Sequence, residues 1–410
     1  MITIPALESI SAVENLYGSL SRSKASKDLR IGAKLRGNAA SSRACLMQFL
    51  ITWAKQYPDA RLVTRLDRNR DLEASIYHLA GEEHGILSLL LADNVETPDA
   101  ATISQLAHAA AKRAYFHSFQ QPKQFGSRFF LLISDTLVPV GRSSPFLRLS
   151  RFPRTEQKLR FANFFQSYLR SIFDVSKTVG LDSRTGLSLG ELVFELLANT
   201  EEWGSVTADG SPLVKSMRGL FVNIHLPRID TGIPCNESVD PHHIKRYFSE
   251  FPQFQKGKGA LLELSIFDSG IGLAKQWLKA DYSPEISISE EYAAVTNCFA
   301  KHATSSASST RGNGLFYIMR LLTQARGYLR FRGGRLALFR DFTIHPHPYA
   351  DRREPPPIRT SGEGRSRFEF LLDWKTGEDQ IQANPLAEGA LFSVWLPLIE
   401  VDAQLKLLLQ

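Results

Sequence analysis

The chain has 410 residues, a net charge of +7 and a hydrophobic fraction of 43%. That length can hold two domains with separate cores, and the ordinary hydrophobic and charged content places the chain among globular, soluble proteins. No apolar run is long enough to span a bilayer. Residues 1–20 lack the basic start and apolar core of a secretory signal. Cys45, Cys235 and Cys298 are too widely separated for a disulfide framework or a cysteine metal site, so a cytoplasmic location is expected.

Residues 1–150 alternate helix and strand signals, which predicts a smaller N-terminal α/β domain. Cys45, Leu46, Phe49, Leu50 and Trp53 recur at helical spacing within residues 41–57. A short strand is predicted over 61–66, helices over 72–91 and 101–116, and a strand over 128–140 carrying Phe129, Phe130, Leu131, Leu132 and Ile133. No catalytic constellation is visible in this half. His78, His84, His108 and His117 are scattered and read as ordinary surface or core histidines. Residues 145–153 read as a linker.

A long amphipathic helix follows over 155–179, with Leu159, Phe161, Phe164, Phe165, Leu169 and Phe173. Ser188-Leu-Gly-Glu191 fits a capping box and predicts a helix N-terminus there. Beyond it Glu191, Glu195, Asn199 and Glu202 share one face, while Leu192, Val193, Leu196 and Leu197 line the others. Strands are predicted over 219–226 and 261–267. Asp268 ends the second of these, and Gly270 and Gly272 then allow the backbone to approach a ligand closely. A carboxylate there accepts from an adenine amino group, which guanine does not offer at that position; a plain strand-end turn uses the same residues.

Gly312-Asn-Gly314 precedes an apolar helical stripe beginning at Leu315, and free amides at such a helix start suit phosphate oxygens. No lysine follows in the Walker pattern, so this is not a P-loop. Residues 327–332 and 335–342 pair as a hairpin through Gly333-Gly334. Residues 343–364, rich in proline, glycine and charge, predict a mobile insertion. The basic loop Asp351–Arg367 offers a contact for nucleic acid or an acidic partner, although a solvated loop is the stronger reading. The last strand runs over 390–396. His242-His243 and His345-Pro-His347 lack a matching carboxylate or cysteine set and read as loop histidines.

In order and spacing, Glu195 to Asn199, Asp268-Ser-Gly270-Ile-Gly272 and Gly312-Asn-Gly314-Leu315 resemble the N box and the two glycine boxes of the GHKL superfamily. These are the Bergerat-fold ATPases that include gyrase, the ninety-kilodalton heat-shock chaperone, histidine kinases and MutL-type proteins. Lys301-His-Ala-Thr304-Ser305 is similar to the lid segment of MutL-type members, and the strand from Gly389 to Pro397 to the closing strand of histidine-kinase ATPase domains. The resemblance covers roughly residues 155–400.

For residues 151–400 the resemblance implies an α/β sandwich with helices on one face of a mixed sheet. It implies ATP and Mg²⁺ as cofactors. Asn199 would bind the metal, Asp268 would read adenine, and Gly270, Gly272, Gly312, Gly314 and Leu315 would border the nucleotide. Thr304 or Ser305 would contact it from a lid at 281–311, and Glu195 would activate water. An ATPase that switches conformation or partner binding follows. A protein kinase acting on a separate protein is the alternative, since the 155–179 helix carries no histidine for self-phosphorylation. A non-catalytic ATP-gated module is the third reading. A protein partner and an ATP-dependent dimer are further expectations. The second glycine box departs from the histidine-kinase form, with Phe316 and Tyr317 where a further glycine often stands.

Overall fold

The computed structural model describes residues 1–22, 26–65, 71–120, 123–125, 128–137, 154–176, 183–207, 209–226, 235–236, 238–251, 259–279, 282–283, 285–299, 314–347 and 371–398. Among these residues the chain is mixed α/β, with eleven helices, one parallel sheet and one antiparallel sheet.

The parallel sheet runs in chain order through β1 (Ile2–Thr3), β2 (Leu29–Gly32), β3 (Arg61–Arg65) and β4 (Asn94–Glu96). Parallel neighbours need a crossover. Here α1 (Ile10–Ser21), α2 (Ser42–Gln56) and the pair α3 (Leu72–Ala80) and α4 (Glu83–Leu91) supply them. Ser9 caps α1 by accepting from the Ala12 amide, and Asp71 caps α3 from Ala74. The continuous helix predicted over 72–91 is broken in two. Gly85 of α4 lies so close to the end of α3 that a Cβ there would fall 1.8 Å from the Leu79 carbonyl oxygen. Helix α5 (Ser104–Gln120) packs on α3 and α4.

The antiparallel sheet has the order β11 (Leu372–Asp373), β10 (Leu336–Asp341), β9 (Tyr328–Gly334), β12 (Ala387–Leu398), β8 (Ala260–Asp268), β7 (Met217–His225), β6 (Arg128–Ser134), β5 (Lys123–Phe125). Every pairing in it is antiparallel, so the expected mixed sheet is not what forms. Between β6 and β7 two helices, α6 (Arg154–Ser176) and α7 (Ser183–Trp203), carry the chain away and back, which reverses the next strand. Strand β6, predicted within the first 150 residues, pairs with β7. Its Phe129, Leu131 and Ile133 feed one core and its Phe130 and Leu132 the other.

Every residue of β7 and β8 is buried, so this sheet must be covered on both faces. Leu262, Leu264 and Ile266 of β8 face a core built with α6, α7 and α11 (Gly314–Gln324). Leu261 and Phe267 face the N-terminal α/β unit and α8 (His242–Ser249). Helices therefore lie on both faces rather than the expected one. Trp395, Tyr328 and Phe339 share the second face and would otherwise be left in water.

Helix α7 begins at Ser183, so Ser188 lies inside it and caps nothing. The glycine of that motif serves packing instead: a Cβ on Gly190 would fall 2.6 Å from the Ala162 Cα of α6. His242 and His243 open α8 rather than sitting in a loop. His243 is stacked 3.6 Å from Phe339. The Trp374 carbonyl lies 2.7 Å from its Nε2, and the Tyr328 hydroxyl 2.9 Å from its Nδ1.

This arrangement sets a pH dependence. Burial lowers the pKa values of His84, His243 and His347 to about 4. Between pH 6.5 and about 4 the unfolded chain takes up protons that the folded chain refuses, so stability falls as pH falls through that window. Asp268, raised by burial to about 6, acts in the opposite sense over part of it. Glu82 and Asp341, also raised by burial, act with Asp268, but the three histidines together with the lowered carboxylates of Glu14, Asp28, Asp209 and Glu290 outnumber them, so the melting temperature is expected to drop from pH 7 to pH 4.5. Thermal melts at half-unit steps measure this, and a flat profile would mean that these histidines are not held neutral.

Candidate functional site

Strand β8 ends at Asp268, whose side chain is only 8% exposed. Its Oδ1 accepts from the Gly270 amide at 2.8 Å. Burial pushes its pKa up to about 6, against the pull of the Gly270 and Ala390 amides and of Lys55 and Arg218. Arg218 lies opposite it on β7 and is itself tied to Asp135 at 2.9 Å. Ser269 is fully buried, and its hydroxyl accepts from the Met217 amide at 2.8 Å, so the turn is pinned to β7 immediately after Asp268.

Two glycines outside the predicted motif make this position accessible to backbone. A Cβ on Gly204, just beyond α7, would lie 2.8 Å from the Asp268 Cβ. A Cβ on Gly389 would lie 1.9 Å from the Asp268 carbonyl oxygen, and Gly389 has φ +71° in the irregularity that opens β12. Gly272 also takes a left-handed φ of +80° and starts the short helix α9 (Leu273–Leu278). A small open cleft adjoins this turn, between Gly272, Lys275 and Tyr282 on one side and Gly333, Glu388 and Gly389 on the other.

The C-terminal end of α7 meets the same place. Glu191, Glu195 and Asn199 are half-buried, while Leu192, Val193, Leu196 and Thr200 are buried, so the predicted polar face exists. Lys158 of α6 bridges Glu191 at 3.2 Å and Glu195 at 3.4 Å. Asn199 stands one turn beyond Glu195, and the Thr200 carbonyl accepts from the Gly204 amide that abuts Asp268. Helix α11 begins at Gly314 and packs on α7, with Leu315 buried between them and the sheet. The structure therefore places Glu195 and Asn199 on the half-buried face of α7, brings Gly204 at the end of that helix against Asp268, and sets Gly314 and Leu315 on a helix packed against α7.

Thr304, Ser305 and Gly312 lie outside the described residues, as does 300–311 of the predicted lid. The earlier lid residues include a packed helix, α10 (Ile288–Asn297). Ser287 and Glu290 form its capping box, Ala294 and Val295 are buried, and Glu291 holds Arg335 at 2.7 Å. Of the predicted insertion, residues 348–364 also fall outside. His347 precedes them and is tied by its amide to Thr323.

Arg218, Lys55 and Gly204 escaped the sequence reading, and Gly389 entered it only as the head of the closing strand, not as a neighbour of Asp268. Gly389 was the most legible, as a glycine at the mouth of a strand. Lys55 carries no local signal, because its partners are more than 200 residues away. Among the described residues no helix is long and apolar enough to cross a membrane. Glu82, Glu83 and His84 come together, but Arg43 and Arg128 already neutralise Glu83. No family model, curated protein or solved structure matches this chain.

Proposed function

We propose that this protein binds Mg·ATP at the end of β8 and hydrolyses it, using a GHKL-type arrangement of α7, the Asp268–Gly272 turn and the start of α11. The observation that carries the reading is the buried Asp268, clamped between Gly204 and Gly389 beside the polar face of α7. A carboxylate left in so dry a place raises the free energy of the empty protein, which is characteristic of a site shaped for a ligand rather than for stability.

In this reading Asp268 accepts from the amino group of adenine. Gly270 and Gly272 keep side chains out of the ligand's way, and the amides at Gly314 face phosphate oxygens. Asn199 suits Mg²⁺: it offers a neutral, hard oxygen on a half-buried face, and this ion needs few protein ligands when phosphates and waters complete its shell. The bound metal would neutralise phosphate charge. Glu195, one turn before Asn199, orients water and takes its proton, with Lys158 holding the carboxylate in place.

Two outcomes follow for Asp268. Calorimetry should give tighter binding of Mg·ATP than of Mg·GTP. A buried carboxylate facing the guanine oxygen would be left unpaired, at a cost of about 1–3 kcal/mol. Equal affinities would remove the base-reading role. Asp268→Asn should weaken ATP binding yet stabilise the empty protein at pH 7 by on the order of 1–2 kcal/mol, because a charge that burial opposes is gone. The stabilisation should disappear near pH 4, where Asp268 is protonated. Incubation with γ-labelled ATP, alone and with candidate proteins, separates hydrolysis, phosphotransfer and simple binding.

A further inference from the structure

Helix α2 of the N-terminal unit is buried along almost its whole length, yet three polar side chains run down one face at steps of four and three: Gln48, Thr52 and Lys55. Buried polar groups need partners, and all three find them in the antiparallel sheet. Gln48 donates to the Arg332 carbonyl at 2.7 Å. Thr52 accepts from the Glu388 amide at 2.9 Å. Lys55 donates to the Ser269 carbonyl at 2.9 Å and pairs with the Glu388 carboxylate at 3.0 Å. Ser269 and Glu388 belong to the two backbone segments that enclose Asp268, namely the turn leading to Gly272 and the irregular start of β12 with Gly389. The last turn of α2 thus grips both walls of the candidate site from the opposite face of the sheet.

We propose that Lys55 is a positioning residue for the turn that follows Asp268, and that through it nucleotide binding is transmitted to the N-terminal α/β unit. The inference rests on the nucleotide reading of the site. A ligand that orders the Ser269–Gly272 turn necessarily acts on the Lys55 bond, and α2 is continuous with the packing of α1 and α4. The charged groups acting on Asp268 are Lys55 from α2, itself paired with Glu388 at the start of β12, and Arg218 from β7 with Asp135 behind it. Lys55 is 27% exposed and sits in the last turn of its helix, so its replacement leaves the core intact.

The test uses the full chain and a non-hydrolysable Mg·ATP analogue, with calorimetry from pH 5 to pH 8.5 and hydrogen exchange across residues 42–56. Wild type should gain protection in α2 on binding. Lys55→Met should bind about 3-fold or more weakly at pH 7. It should move the midpoint of the pH dependence upward by about half a unit, because Asp268 loses a nearby cation, and it should lose the α2 response. Lys55→Arg should restore all three. Lys55→Gln, which keeps a donor for the Ser269 carbonyl without the charge, should shift the midpoint but retain the α2 response. Unchanged affinity, midpoint and α2 protection in Lys55→Met, with binding by wild type, would overturn the role of Lys55 alone. No binding by wild type would overturn both this role and the nucleotide site.

Discussion

Glu195→Ala is expected to lower ATP turnover by about 100-fold or more while changing the affinity for Mg·ATP by less than about 3-fold. A general base acts on the proton that moves in the transition state and contributes little to the bound ground state, and its loss typically costs two to four orders of magnitude. The half-buried position of Glu195 on α7, with Lys158 at 3.4 Å, holds the carboxylate in one orientation without shutting it away from water. Asn199→Ala, one turn further along, should harm binding and turnover together, because a metal ligand serves both states. Single-turnover kinetics alongside calorimetry separate the two effects. Wild-type hydrolysis by Glu195→Ala would remove Glu195 from the chemistry and leave the site a binding module.

Glu14→Ala should destabilise the fold by about 3–5 kcal/mol, a large share of the net stability of a domain. Glu14, on α1, is the carboxylate between Arg330 and Arg332 of β9, both fully buried. Arg332 also donates to the carbonyls of Gly334, Leu336 and Pro385, while Arg330 lies 4.6 Å over the Trp374 ring and donates to Cys45. Removing the one carboxylate strands two buried cations between the N-terminal unit and the sheet. Burial pushes the Glu14 pKa up, but the Arg332 and Arg330 guanidiniums overcome this and leave it below the usual 4.5. Its contribution is therefore complete above about pH 4.5 and fades as pH falls below that. Urea unfolding at pH 7 measures the loss; a change under about 1 kcal/mol would show that solvent reaches the arginines after substitution.

The same geometry connects the two predictions. Glu14 holds α1 on the face of the sheet opposite α7, and the α2 contacts reach Ser269 beside Asp268. A destabilised Glu14 variant should therefore weaken nucleotide binding indirectly, whereas Glu195→Ala should leave the melt unchanged.

Local pattern carried most of the elements. The 3.6-residue recurrence in 41–57 appears as α2, the hairpin about Gly333-Gly334 pairs β9 with β10 in register, and the carboxylate–amide spacing of Glu195 and Asn199 becomes one face of α7. These succeeded because the information lies within a few residues, in side-chain periodicity and turn chemistry. The capping box at Ser188 misled for the same reason. Its residues match a helix start, but the packing of Gly190 on Ala162 extends the helix through it.

Other features had no local trace. A strand such as β8, buried throughout, does not declare which face meets which partner, so the second covering layer became visible only with the N-terminal unit in place. The backbones that crowd the buried Asp268, at Gly204 and Gly389, are 64 residues before and 121 residues after it in the chain. The Lys55–Ser269 and Glu14–Arg330 bonds span still greater separations. The residues proposed for the site's chemistry are thus written in short motifs. Which of them are dry, which are charged and which unit they are tied to depends on long-range packing, because desolvation and ion pairing are properties of surroundings that the folded chain assembles.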